Sequence, residues 1–174
     1  MLDQEKFFNT YKVQEAFEDS GLSWDTLEKI YDDYKSRLPE MKKMADHLQE
    51  EISKEIDFHV HSIHNRCKNP EHLIEKIIRK VGVEKRQKYK SINEKNYLRI
   101  VRDLMGVRIL ILSKEEWRTV HDFLLKVDED PRYDICMAEM PRAYIRYGDR
   151  DIFNYTIHKE YTDCLLYTSD AADD

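Results

Sequence analysis

The stretch RCKNPEHLIEKIIRK, Arg66 to Lys80, sets five fixed positive charges and a histidine into fifteen residues of a chain whose formal net charge is -6. Cations gathered against the overall balance raise the possibility of an anionic ligand. Arg66 and Lys68 stand two apart, the period of one strand face. His72, Lys76 and Lys80 stand four apart, along one edge of a helix. If strand and helix pack together, Arg66, Lys68, Lys76 and Lys80 converge with a helix N-terminus over one patch, a composition suited to a polyphosphate. On charge pattern alone the favoured reading is plainer: a solvated basic face, partly neutralised by Glu71 and Glu75.

A second group lies in RDLMGVRILIL. Asp103, at the entrance to an apolar strand, is placed to hold a divalent cation, because Mg²⁺ takes one or two carboxylates together with substrate phosphate oxygens. A turn or capping aspartate before Gly106 is the bland alternative. Arg108 projects from an otherwise apolar strand and so calls for a partner, either a core carboxylate or a ligand phosphate.

The elements that must position these residues are legible in the periodicity. Leu27, Ile30, Tyr31, Tyr34, Leu38, Met41, Met44 and Leu48 recur at three and four, which predicts a helix from Ser23, its cap, to about Ile56, with Pro39 inside it. A shorter helical piece covers Gln4 to Asp19 and ends near Gly21. Phe58 to Lys68 reads as a strand. Asn69 as N-cap and Pro70 as first residue start the next helix, which runs to about Val81 and buries Leu73, Ile74, Ile77 and Ile78. VEKRQKYKSINEKN reads as a solvated loop and Tyr97 to Asp103 as a short helix or turn. GVRILIL is the strongest strand signal. Ser113 and Glu116 form a capping box for a helix whose core face is Trp117, Val120, Leu124 and Val127. With the strand-like runs YDICMAEM, RAYIRYG and IFNYTIHKEY beyond, the expectation is an α+β fold: a mixed β-sheet with flanking helices, preceded by N-terminal helices.

The totals bound the function. A chain of 174 residues, 41% apolar and 37% charged with eleven tyrosines, suffices for one domain with a real core, or a small domain behind a helical arm. No apolar run reaches membrane-spanning length and MLDQEKFF is not a signal peptide, so the expectation is a cytoplasmic protein that does not engage a membrane. Cys67, Cys136 and Cys164 are odd in number and lack C-x-x-C spacing, which argues against disulfides and structural zinc. Four glycines form no phosphate loop of the Walker or dinucleotide type. His59 and His61 share a strand face, but His64 falls on the other and no carboxylate stands at ligand spacing, so they read as strand and surface histidines.

Taken together, R-x-K-x-P-E-H-L-x-x-K-x-x-x-K followed by D-L-M-G-V-R-I resembles the synthetase domain of RelA/SpoT-type alarmone synthetases, including short and toxin-like members. The resemblance runs from about Val60 to Asp163. It implies a nucleotidyltransferase-like domain, here 57–163, after an N-terminal helical region, 1–56. The implied activity is transfer of pyrophosphate from ATP to the 3′-hydroxyl of GDP or GTP, the chemistry of the bacterial stringent response. It implies that Arg66, Lys68, Lys76 and Lys80 bind the ATP phosphates, that Asp103 holds Mg²⁺, and that Arg108 is the arginine of the following strand. His72 stands where many members carry serine, which bears on nucleotide contacts.

The family's tyrosine-rich acceptor loop, of Y-R-S-x-H type, and its later glutamate are not visible. YTIHKEYTD is similar to the run-in to that loop. CLLYTSDAADD, 164–174, resembles translated adapter sequence, which leads to the expectation of a reading frame ending near Asp163, an incomplete sheet and a chain that binds ATP without turnover; a short disordered natural tail is the alternative. Two other functions stay open: a toxin-like pyrophosphotransferase acting on the tRNA 3′ end or on adenosine nucleotides, with an antitoxin protein as partner, and a non-catalytic nucleotide- or RNA-binding module.

Overall fold

The structure, a computed structural model, describes residues 2–56, 60–113, 116–127 and 130–132. The three strand-like runs after Arg132, His59, Cys136, Cys164 and the 164–174 segment lie outside these residues. Among the described residues the fold is α+β, with six helices and a two-stranded antiparallel sheet.

Helix α1, Gln4–Tyr11, starts where Asp3 Oδ1 accepts from the Lys6 amide at 2.9 Å. The single helical piece expected over 4–19 is two, because Lys12 turns into the left-handed region at φ 55° and ends α1. Helix α2, Gln14–Ser20, ends at Gly21, which takes φ 66° at no Cβ cost. Helix α3, Trp24–Ile56, opens with Ser23 Oγ accepting from the Thr26 amide at 3.2 Å. It continues through Pro39, which is exposed, on the side where water can serve the carbonyl that proline leaves unpaired.

Strand β1 covers Ser62–Cys67, shorter than the expected 58–68 because Val60 and His61 form a bend, and helix α4 covers Pro70–Gly82 with Asn69 as its cap, as the sequence predicts. The segment expected to be a solvated loop instead anchors itself: a 3₁₀ turn at Gln87–Tyr89 buries Tyr89, and Ile92 is buried beside it. A one-turn helix α5, Tyr97–Ile100, leads to strand β2, Met105–Leu110. Backbone bonds from His61 N to Leu110 O and from Lys68 N to Leu104 O, both 2.8 Å, bracket the two strands.

One compact unit comprises Met1–Ile52 and Ile63–Ile109. Its core joins Phe7, Leu27, Ile30 and Tyr34 from the N-terminal helices to the α4 face, Leu73, Ile74, Ile77 and Ile78, each of these four fully buried. Burial on that scale is the main force holding α4 and its charged edge in place. Helix α2 crosses α4 so closely that a Cβ on Gly82 would stand 1.9 Å from the Ala16 carbonyl oxygen. One edge of β1 is closed by a side chain. Gln49 of α3 donates to Ile63 O at 3.0 Å and accepts from Asn65 N at 2.9 Å, as a neighbouring strand would.

The second unit begins with Ser53–Ser62 and resumes at Leu110. Its helix α6, Trp117–Val127, follows a turn in which Glu116 Oε2 accepts from the Leu112 and Ser113 amides at 3.0 and 3.1 Å, the glutamate half of the expected capping box. The buried face carries Phe123 and Val127, whereas Leu124 is exposed; the apolar stripe is rotated by one residue from the expected one. No helix among the described residues is long and apolar enough to cross a membrane.

Candidate functional site

Asp103 is where the separated elements meet. It follows α5 and precedes β2, and its Oδ2 accepts from Lys76 Nζ at 2.7 Å and lies 3.1 Å from Lys68 Nζ. Lys68 is the first residue after β1, and Lys76 lies in the middle of α4. Both lysine side chains are 16% exposed, so the ammonium groups sit against the protein while their carboxylate faces a partly open patch. Burial alone would push the Asp103 carboxyl up. Hydrogen bonds from Lys76 and Lys68 outweigh it and hold the group below the ordinary value of 3.8.

The other oxygen of this carboxylate has a different fate. Asp103 Oδ1 is buried and has no hydrogen-bond partner among the described residues. The two lysines stabilise the carboxylate as a whole, but Oδ1 keeps its acceptor capacity unused by the described residues, so the cluster is not a closed structural ion pair.

The backbone beneath the cluster is held from α3. The Tyr34 side chain is fully buried, and its hydroxyl donates to Lys68 O at 2.8 Å and lies 3.2 Å from Leu104 O. Burial pushes the Tyr34 hydroxyl up to about 12. Tyr97 meets Tyr34 edge-on at 6.3 Å and donates to Asp33 Oδ2 at 2.7 Å. Periodicity marks Tyr34 as buried but says nothing of where its hydroxyl goes.

The remaining expected residues separate. Lys80 does not join Asp103; its ammonium lies 2.6 and 2.9 Å from the two Glu84 oxygens. Arg79 and Arg86 bind the same carboxylate at 2.7 and 2.6 Å. Burial raises the Glu84 carboxyl, but Lys80 and Arg86 overcome this and lower it from 4.5. The turn that creates the cluster places Lys85 at φ 51°. Glu84 stands four residues after Lys80, a spacing that suggests an ion pair only within a helix, whereas α4 ends at Gly82 and the turn makes the contact.

His72 is exposed, one helical turn before Lys76, with its ring edge-on to Tyr11 at 5.7 Å. The N-terminus of α4 is not an open anion site. Asn69 Oδ1 accepts from the Glu71 and His72 amides at 2.8 and 3.4 Å, and Glu71 itself binds the Tyr11 hydroxyl at 2.9 Å. Arg66 and Arg108 are both exposed, and neither has an ion-pair partner among the described residues. Of the two partners expected for Arg108, a core carboxylate is not met among the described residues, because its side of β2 faces solvent, where a guanidinium is already hydrated.

No protein-family model, curated protein or solved structure matches this chain. The reading of the site therefore rests on its geometry and on the motif it carries. Among the described residues no group of three or more histidines, cysteines or acids could close around a metal ion. A cation bound at Asp103 would need oxygens from outside the protein. That demand suits Mg²⁺, which keeps waters and phosphate oxygens as ligands, and Asp103 would be the residue to hold it, through Oδ1.

Proposed function

We propose that the chain carries the ATP-binding part of a RelA/SpoT-type alarmone synthetase domain, the kind of domain that transfers the pyrophosphoryl group of ATP to the 3′-hydroxyl of GDP or GTP. One observation carries the reading: Lys68 and Lys76 arrive from different elements at Asp103, which keeps a buried oxygen unpartnered. That arrangement has two ammonium groups to offer a phosphate and one carboxylate oxygen to offer a cation. Magnesium, when bound there, would withdraw charge from the phosphate oxygens.

The chain's own residues supply position and charge. Lys68 and Lys76, drawn toward the triphosphate, neutralise its oxygens and orient the β-phosphorus toward the acceptor. Arg66 and Arg108, solvent-facing and without ion-pair partners among the described residues, can close on the same anion. Lys80 contributes only if it leaves Glu84. In the transfer, the acceptor oxygen bonds to the β-phosphorus and the bond from that phosphorus to the oxygen bridging to the α-phosphorus breaks. AMP leaves with that oxygen, and the hydroxyl proton passes to a base.

A non-catalytic polyanion-binding surface would want a continuous basic row. The division of the row between Asp103 and Glu84 weighs against it. The test compares ATP binding by Lys76→Ala with that of the parent chain. Loss of one charge-assisted bond, about 1.5–3 kcal/mol, predicts roughly ten- to hundredfold weaker ATP binding. Binding of an unrelated polyanion such as heparin should change little. Equal weakening for ATP and heparin, with a shared salt dependence, would favour the non-catalytic module instead.

A further inference from the structure

We infer that Tyr34 is a positioning residue for the Lys68–Asp103–Lys76 cluster, so that the long helix α3 holds the site in register through one hydroxyl. The hydroxyl lies 2.8 Å from the carbonyl of Lys68 and 3.2 Å from that of Leu104, the residue next to Asp103. Lys68 N also donates to Leu104 O at 2.8 Å. The Tyr34 hydroxyl and the Lys68 amide thus tie the backbone at Lys68 to the backbone one residue after Asp103. Those two stretches carry the lysine and the carboxylate that must stay 3.1 Å apart.

The placement is economical for a group with only one proton to donate. That proton is directed at Lys68 O, and the longer contact to Leu104 O shares it. The Tyr34 ring is fully buried and braced edge-on by Tyr97, so its hydroxyl has little freedom to follow the backbone if the two segments part. Tyr97 is an internal comparison. It is equally buried and its hydroxyl is also bonded, but to Asp33 on α3 and not to the cluster's backbone. Removing either hydroxyl takes one hydrogen bond from the same core. Only one of the two losses should reach Asp103.

As an effect on nucleotide the inference rests on the ATP reading above; as an effect on the cluster's geometry it does not. The experiment uses the full chain, Tyr34→Phe and Tyr97→Phe. Hydrogen exchange of the Lys68 amide, which donates to Leu104 O, is followed by NMR, and Mg²⁺–ATP binding is measured by calorimetry on the same samples. Loosening the cluster parts the Lys68 segment from the Leu104 carbonyl, so Tyr34→Phe should speed exchange at Lys68 by about five- to tenfold, the scale of one hydrogen bond. It should also weaken Mg²⁺–ATP by about the same factor. Tyr97→Phe should leave both unchanged.

If the Lys68 amide exchanges at the same rate in Tyr34→Phe as in the parent, the inference is overturned. It is equally overturned if both variants speed it alike, since that is what general loosening of the core would do. If exchange quickens in Tyr34→Phe alone while the parent chain shows no ATP binding, the positioning role stands and the ATP reading falls.

Discussion

Asp103 and Glu84 are both carboxylates surrounded by cations along one edge of α4, yet they are built in opposite ways. Glu84 takes its partners from its own neighbourhood: Lys80 four residues before it, Arg79 five before and Arg86 two after. Both of its oxygens are engaged. Asp103 reaches 27 residues back to Lys76, and further to Lys68, and uses a single oxygen for both. The first closes a turn on itself. The second can exist only when β1, α4 and the approach to β2 are folded together, and even then it keeps an oxygen in reserve. A local carboxylate with no vacancy stabilises a turn; a long-range one with a vacancy is the better candidate for a ligand.

The comparison depends first on the seat of α4, and its largest predicted effect follows from that. Gly82→Ala would drive a Cβ into the Ala16 carbonyl, a backbone atom with no easy retreat. The expected cost is about 3 kcal/mol or more, on the scale of severe overpacking, measured as a lower urea midpoint. Both clusters should suffer, because both stand on α4. A Gly82→Ala variant of unchanged stability would mean that α2 does not hold that helix where it lies.

A smaller effect separates the two carboxylates by pH. Each has a folded pKa below its ordinary value, so each contributes stability that is present above that value and lost as pH falls through the lowered folded one. The ordinary values are 4.5 for Glu84 and 3.8 for Asp103, so the loss at Glu84 begins at the higher pH. Thermal melts between about pH 6 and pH 2.5 should show a flatter acid limb for Glu84→Gln and for Asp103→Asn than for the parent chain. The difference should shrink in high salt, because both groups are partly exposed. Identical acid limbs for all three chains would show that neither cluster contributes to folding.

The contrast also explains what could be read in advance. Helix α4 was legible to the residue at its start, since Asn69, Pro70 and the spacing of Leu73, Ile74, Ile77 and Ile78 all state the same thing. That Lys76 would stand at the edge of the core was legible because an apolar face fixes the edge beside it; its pairing, with Lys68, to Asp103 was not, since Asp103 lies in a separate motif. Lys80 was misjudged on the same logic: it shares that edge, but the turn after Gly82 presents Glu84 to it first. For Arg108 the core carboxylate could not be excluded in advance, because alternation along β2 shows that it faces away from its neighbours, not that its face is exposed. The break at Lys12 was hidden because a left-handed lysine leaves no compositional mark, unlike Gly21. The Tyr34 hydroxyl bonds join residues 34 and 70 positions apart, beyond the reach of any local pattern.

The most direct test of the account is to measure Mg²⁺-dependent ATP binding by calorimetry in the parent chain, Asp103→Asn and Glu84→Gln. Asp103→Asn should bind ATP with no enhancement by Mg²⁺, while Glu84→Gln, which frees Lys80, should bind Mg²⁺–ATP at least as tightly as the parent. Equal loss in the two variants, or Mg²⁺ dependence that survives in Asp103→Asn, would contradict the claim that Asp103 is the ligand-bearing carboxylate and Glu84 the structural one.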